Sequence, residues 1–511
     1  CLLISSLYHT WDVMSRTISY RLFIAFDGTN YLNESSRLLQ ASGENRLTPP
    51  DAIGSGRGIV DRCQLELDNR DGRYSPLNSS GALYSSIQAG GAYNRPMYLE
   101  VSIDGGSNYY RVFTGVIKIP QEQTPTPTKP ATVQIDCRSV DELLLGRRTS
   151  TSQSDLQVTN TYGYTEGDTI LYWVQLAGKT ATVDDGIFVL PWAWMDDESV
   201  LEEIWQIAAA TGGRFYADPD GVLRYEDMTH WLKSPHTVSQ ETFTRADFQD
   251  LQPVYSDTEL YNSVTVEASS RYKGAIDVLW EPDEPIVVPP SSTKAVVARF
   301  RQPAWSASVP SWKAATQGGI DKTTSVTVSV TAAYVQRMEL SIVNADTEAV
   351  YLHPFNISGV GLAGGPTQEE TRTSAANGSN NSWWTSRATT RSKAIRGNAY
   401  IQTRAQAGTL AHFLLRRSEA PRLTYKLKGC PGKSSRRCGD LVTINDTEIM
   451  SSSRTAFITA IAWRLTQNGF AQDIEAIDAA GYAPYQATGY FVIGTNKLGA
   501  AGGSLTKPIW Y

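Results

Sequence analysis

A chain of 511 residues is too long for one hydrophobic core and divides into several domains or subdomains. Hydrophobic residues at 41%, aromatics at 10% and charges at only 19% describe a globular protein lean in charge and rich in rings, a balance that favours β structure. The net charge of −6 is spread without long blocks, which removes any argument from charge for a nucleic-acid stripe or a polybasic membrane patch, and no apolar run reaches the length of a membrane span.

The opening "CLLISSLYHTWDVM" starts without Met and has a short apolar stretch with no basic flank, so it does not fit a secretory signal. Met14 is expected as the true start, with residues 1–13 extra. From Thr17 to Phe26, "TISYRLFIAF" reads as a half-buried strand. "CQLELDN" is a second strand, with Cys63, Leu65 and Leu67 on one face and Gln64, Glu66 and Asp68 on the other. It ends in "NRDGRYSP", where Asp71-Gly72 signals a turn and Pro76 cannot donate to a ladder. Three more strands follow: Met97 to Ile103, Tyr109 to Ile119 and Ala131 to Ser139. The hairpin signal "DGGSN" and the proline-rich "PQEQTPTPTKP" connect them, which makes an antiparallel meander.

The clearest helix is "DDESVLEEIWQIAAATGG", expected over 198–210. Val200, Leu201, Ile204, Ile207 and Ala208 fall at helical spacing, acids stand at its start and Gly212-Gly213 past its end. Two strands follow around Asp218-Pro219-Asp220-Gly221. Farther on, Val326, Val328 and Val330, then Met338, Leu340 and Ile342, alternate as in a sandwich with one wet face. A polar low-complexity stretch carrying Trp383-Trp384 reads as a long loop. A second helix, "TRAQAGTLAHFLLRRS", buries Ala407, Leu410, Ala411, Leu414 and Leu415, and more strands complete the chain before a Gly- and Ala-rich tail.

A weak internal repeat links "YYRVFTGVIKI…ATVQIDCRS" with "SRTAFITAIAWRLT…DIEAIDA". Phe113 answers to Phe457, Val116 and Ile117 to Ile458 and Ile461, and Ile135-Asp136 to Ile477-Asp478. Two β domains of one design account for it.

Chemistry is sparse. In "LELDNRDGRYSP", taking Gly72 as position 6 of a calcium loop leaves Leu67 and Asn78 where ligands belong, so a turn is the better reading. "GCPGKSS" lacks the first glycine of a phosphate loop, since Leu427 stands there. Asp196, Asp197 and Glu198 beside Trp192 and Trp194 could serve a glycosidase, but helix capping explains them with fewer assumptions. The histidines (His9, His230, His236, His353, His412) show no zinc spacing. Cys430 and Cys438 are the only cysteines close in sequence; two small apolar residues flanking a hairpin loop is the bland reading, and a bridge stays open. No catalytic, cofactor or metal residue is assigned. The candidate for contact with a partner is Trp383-Trp384, set against their folding back on the body.

The succession "LDNRDGRYSPLNSSG", "NRPMYLEVSI", "VFTGVI", "ATVQIDCRSVDELL" resembles the opening domain of tail hub proteins (baseplate hub or tail-tip minor proteins) of long-tailed bacteriophages. "ATGGRFYADPDGVLRYED", "RMELSIVNAD", "YIQTRAQAGTLAHFLLRR" and "GDLVTIND…FITAIAWRL" extend it over nearly all of residues 14–480. The resemblance implies a mainly β, multidomain protein with a few helices: a tail-tube-like β-barrel domain at 14–146, a small α+β domain at 147–255 and a β-sandwich insertion at 256–365. A mobile polar loop at 366–398, a helix with a second tube-like barrel at 399–480 and a loose tail at 481–511 complete it. It implies a non-enzymatic, homotrimeric virion protein at the tail tip or baseplate, assembled in the host cytoplasm. Such a hub joins the hexameric tail tube to a threefold spike or fibre, touches the distal tail and tape-measure proteins, and lets DNA pass without sequence-specific binding. On this reading Tyr74-Ser75-Pro76 run along the ring wall. Two rivals stay open: an extracellular carbohydrate-binding β-sandwich (lectin or adhesin) stacking sugars on Trp383-Trp384 or Trp192-Trp194, and a cell-wall glycosidase using Asp196 to Glu198 or Glu202 and Glu203.

Overall fold

The structure, a computed structural model, describes residues 17–481 except 48–57, 89–90, 92, 124, 127–129, 160–163, 256–259, 375–389 and 468. The first strands are β1 (Ser19–Ile24), β2 (Leu38–Arg46), β3 (Arg62–Asp68), β4 (Arg95–Ser102), β5 (Tyr110–Ile117) and β6 (Thr132–Ser139), and apolar residues alternate in β1, β3, β4 and β6. In β3 the buried face is Cys63, Leu65 and Leu67, as the alternation predicts. The chain then turns helical in α1 (Glu166–Leu176) and α2 (Val200–Thr211), followed by the hairpin β7 (Arg214–Ala217) and β8 (Leu223–Glu226). Two short strands, β9 (Glu241–Thr244) and β10 (Asp250–Tyr255), lead to a second β region.

That region holds the long pair β11 (Ser263–Trp280) and β15 (Val350–Thr373), and between them β12 (Ser292–Arg299), β13 (Val326–Ala333) and β14 (Arg337–Asn344). The three-stranded sheet β12-β14-β13 packs Ala298, Val328, Leu340 and Ile342 against Val288, Leu352, Phe355 and Ile357 of the other sheet, a sandwich core. Val330, expected on that inner face, is exposed: the ladder is irregular between Val330 and Ala332, and the alternation is lost there. The polar loop expected from 366 begins later, because β15 keeps pairing with β11 up to Thr373; Ser392–Ile395 then pairs with β11 in parallel. Trp383 and Trp384 lie outside the described residues. The chain closes with α3 (Arg404–Ser418), β16 (Leu423–Pro431), β17 (Leu441–Asn445), β18 (Arg454–Thr466) and β19 (Gly469–Asp478). α3 buries Ala407, Leu410, Ala411, Leu414 and Leu415 against α2 and the start of β11. Among the described residues no helix is long and apolar enough to cross a membrane.

Both β modules belong to one 14-stranded sheet, whose main path runs β10-β16-β19-β18-β2-β3-β6-β5-β4-β1. The internal repeat is visible in that order. The sequence series β2, β3, β4, β5, β6 is arranged as β4-β5-β6-β3-β2, and the series β10, β16, β17, β18, β19 as β17-β18-β19-β16-β10, the same permutation of five strands. A sixth strand flanks each set, but β1 joins β4 antiparallel whereas β9 joins β17 parallel. The rows through Ile117 and Ile461 read Ile117-Cys137-Cys63-Gly43 and Ile461-Ile474-Leu427-Leu251. If Ile117 answers to Ile461, Cys137 answers to Ile474, so the Ile-Asp pairs matched in sequence occupy different rows. Hydrophobic pattern marked the strands, while register came from pairings remote in sequence.

Candidate assembly interface

The two modules meet along one antiparallel seam, where Gln40 to Arg46 of β2 pair with Thr466 to Ala460 of β18. Gly43 makes this approach possible. A Cβ there would lie 2.5 Å from Cζ2 of Trp463 and 2.9 Å from the Arg62 carbonyl oxygen, so the indole rests over bare backbone. Trp463 Nε1 donates to Asn45 Oδ1 at 3.1 Å, and Asn45 Nδ2 donates to Asp61 Oδ2 at 3.2 Å. Trp463, Leu465 and Phe470 thus enter the core of the first module beside Cys63, Cys137 and Ile135. Arg46 ties the modules electrostatically, with Nη1 2.7 Å from Glu475 Oε2 and Nε 2.6 Å from Glu44 Oε1. Burial acts to raise the Glu475 carboxyl, but the Arg46 guanidinium outweighs it and holds the group below the ordinary range. Asp61 behaves oppositely: burial, reinforced by the charge of Asp141, pushes it well up.

A cleft of about 310 Å³ opens beside this seam, lined among others by Asn45, Asp61, Glu226, His230, Arg437 and Asp440. Most of its charges already have partners. Arg224 Nε lies 2.6 Å from Asp218 Oδ2, Arg437 Nη2 3.4 Å from Asp220 Oδ2, and His230 Nδ1 2.8 Å from Asp184 Oδ2. The cleft is therefore a polar joint between the seam, the β7-β8 hairpin and the 437–440 loop.

In the repeat, the seam joins the first strand of one five-strand set (β2) to the fourth strand of the other (β18). The complementary pair of edges is free of strand partners among the described residues. β10, counterpart of β2, ends the sheet with only β16 beside it, and its Val254 and Tyr255 are 39% and 67% exposed. The chain beyond β5, counterpart of the second half of β18, runs through Ile119, which is 62% exposed, into the exposed strand Gln121–Gln123, which pairs only with β6. Pro253 has no N–H to offer, so the β10 edge carries fewer donors than a regular strand and is blunted against indiscriminate pairing.

The residues singled out by sequence are not gathered at this interface. The Asn69 to Gly72 segment is a turn, with Gly72 at φ 67° and the Tyr74 N–H donating to Asn69 Oδ1. Both Asp71 carboxylate oxygens accept from Arg37 at 2.8 and 2.6 Å. Tyr74 is fully buried, its hydroxyl donating to Glu34 Oε2 at 2.6 Å, and the half-buried Arg73 pairs with the same buried carboxylate. Asp196 to Glu198 do not cap α2. They belong to a short strand paired with Arg148–Ser150, and Ser199 is the cap, accepting from the Glu202 N–H. Asp196 instead pairs with Arg337 of β14. Trp192 stands edge-to-face with Trp305 at 5.7 Å, and its Nε1 donates to the Arg271 carbonyl, so it is no open platform for a sugar. Glu203 accepts from the Tyr400 hydroxyl. Cys430 and Cys438 are both free thiols; Cys438 Sγ donates to the Asn45 carbonyl at 3.3 Å. The seam itself escaped the sequence reading, because "LLQASGENR" of β2 has no apolar alternation to mark it as a strand.

No protein-family model and no curated sequence matches the chain. Among solved structures it is similar to a tail protein from Neisseria meningitidis, with TM-score 0.48 and 11% identity over 91% of this chain and 98% of that one. It is also similar to the 43 kDa tail protein of prophage MuSo2 from Shewanella oneidensis, with TM-score 0.47 and 12% identity over 90% and 98% of the two chains. A third is an Escherichia coli type VI secretion component described as structurally similar to phage T4 tail proteins, with TM-score 0.37 and 7% identity over 87% and 74%.

Proposed function

We propose that the chain is a structural component of a bacteriophage tail, a hub whose copies close into a ring around the DNA exit channel. The observation that supports this reading is the repeat with its seam. A contact made once inside the chain, β2 against β18, leaves a matching pair of edges that only another copy can satisfy in the same geometry. Carrying the seam register across the repeat sets Leu251 opposite Ile119 and Gln249 opposite Gln121 of the next copy. A head-to-tail contact of this kind closes when the rotation per copy divides the circle. Three copies give six β modules, which suits an adaptor between a sixfold tail tube and a threefold spike or fibre. Neighbouring tail proteins, including the tape measure, are its partners at the tail tip, and a net charge of −6 keeps passing DNA from adhering. The reading assigns the chain no catalysis.

The test is the mass of the purified full chain by light scattering after size exclusion, beside Ile119→Asp and Ile119→Lys. A mass of three chains, reduced by either substitution, is the expected result. A trimer that both substitutions leave intact would remove these edges from the reading, and a monomer at every concentration would remove the ring.

A further inference from the structure

Two cysteines far apart in sequence, Cys63 and Cys137, stand directly opposite each other on β3 and β6. Alternation aims both side chains at the same core, where they are 2% and 1% exposed. The backbone bonds Ser139 N–H to Asp61 O and Asn69 N–H to Ala131 O fix the phase of this ladder. Counting by twos from either end makes Cys63 and Cys137 a hydrogen-bonded pair, for which the Cα separation is about 5.5 Å, inside the roughly 4.4–6.8 Å span that a disulfide bridges. Both are free thiols, and the hydrogen bond between them is one of the causes, after burial, that push the Cys63 thiol well up. The other two cysteines among the described residues are occupied elsewhere, Cys430 in the core of the second module and Cys438 on the Asn45 carbonyl.

We propose that Cys63 and Cys137 form a dithiol modification site that closes to an intramolecular cross-strand disulfide when the protein meets a peroxide-class oxidant. The chemistry balances with hydrogen peroxide. One thiolate attacks a peroxide oxygen and becomes a sulfenic acid, with the second oxygen leaving as water. The facing thiol then attacks that sulfur, forming the S–S bond and releasing the second water. Two thiols lose two electrons and two protons in all, and the peroxide is reduced to two waters. Burial keeps the thiols protonated and makes the reaction slow, so closure follows local opening of the β3-β6 ladder. The bridge would pin β3 to β6 one strand away from the seam, since Gly43 of β2 is the next residue in the same row and carries the Trp463 indole.

The experiment uses the full chain, reduced and freed of reductant, then treated with hydrogen peroxide under native conditions. It is next denatured, alkylated with N-ethylmaleimide and digested without reduction for mass spectrometry. The expected product is a peptide pair joined through Cys63 and Cys137, lighter than the two free peptides by two hydrogens and separated by dithiothreitol. The same pair is expected in Cys1→Ala/Cys430→Ala/Cys438→Ala, which removes the three competing thiols. Recovery of Cys63 and Cys137 in alkylated form, as sulfinic acids, or joined to other cysteines would overturn the proposal.

Discussion

Gly43 is the residue on which the seam depends. Any side chain there must displace either the Trp463 ring or the Arg62 carbonyl, and neither is the free end of a flexible chain. Gly43→Ala is therefore expected to destabilise the protein by about 1–3 kcal/mol, the usual range for overpacking, read as a lower thermal midpoint. Glu203 makes a second prediction. Burial pushes its carboxyl up to about 7 from 4.5, with the Tyr400 hydroxyl acting in the opposite direction. A raised carboxyl contributes stability that is complete below 4.5 and is lost as pH rises through about 7. Melting should accordingly show a fall in stability across that window, and Glu203→Gln should flatten it by on the order of 2 kcal/mol. At this scale the sequence was legible in one direction only. The alternation of "CQLELDN" told which way Cys63 points, but nothing local to it names Cys137 as the residue across the ladder, because that pairing is long-range.

Helices were the most legible elements. α2 shows its buried stripe and its left-handed Gly212 at φ 70° in the sequence itself. Its start was misread because acids beside a helix suit the helix dipole as well as they suit a strand, and the pairing of Asp196 to Ser199 with Arg148 to Ser150 decided between them. Ser199 both accepts from the Glu202 N–H and donates to the Leu145 carbonyl at 3.0 Å, joining the helix to the short helix Glu142–Leu145. Ser199→Ala should cost about 1 kcal/mol in denaturant unfolding, whereas Glu198→Ala, exposed and outside the helix, should cost less than half of that. Equal losses would return the capping role to the acids. Most strands were found, but β2 was not, and strand ends were missed, as β15 shows. "TQEETRT" reads as loop by composition, yet pairing with β11 holds it extended to Thr373, with Glu370 clamped between Arg372 and Arg404.

At the scale of the molecule, the repeated strand order makes a prediction about closure that mass alone cannot make. An open head-to-tail contact gives filaments of every length, while a closed one stops at a fixed count. If the seam register passes to the next copy, Gln121 stands opposite Gln249, in the place that Leu465 and Ala41 hold within the chain. Both glutamines are exposed, and neither belongs to an ion pair among the described residues. In a Cys1→Ala/Cys438→Ala background, Gln121→Cys combined with Gln249→Cys, treated with a short bismaleimide, should give covalent products of one, two and three chains and nothing larger. The ladder should vanish when either substitution is made alone, because each contact needs one cysteine from each edge. Products that continue past three chains would mean a filament. Products formed by a single substitution would mean a symmetric contact between like edges.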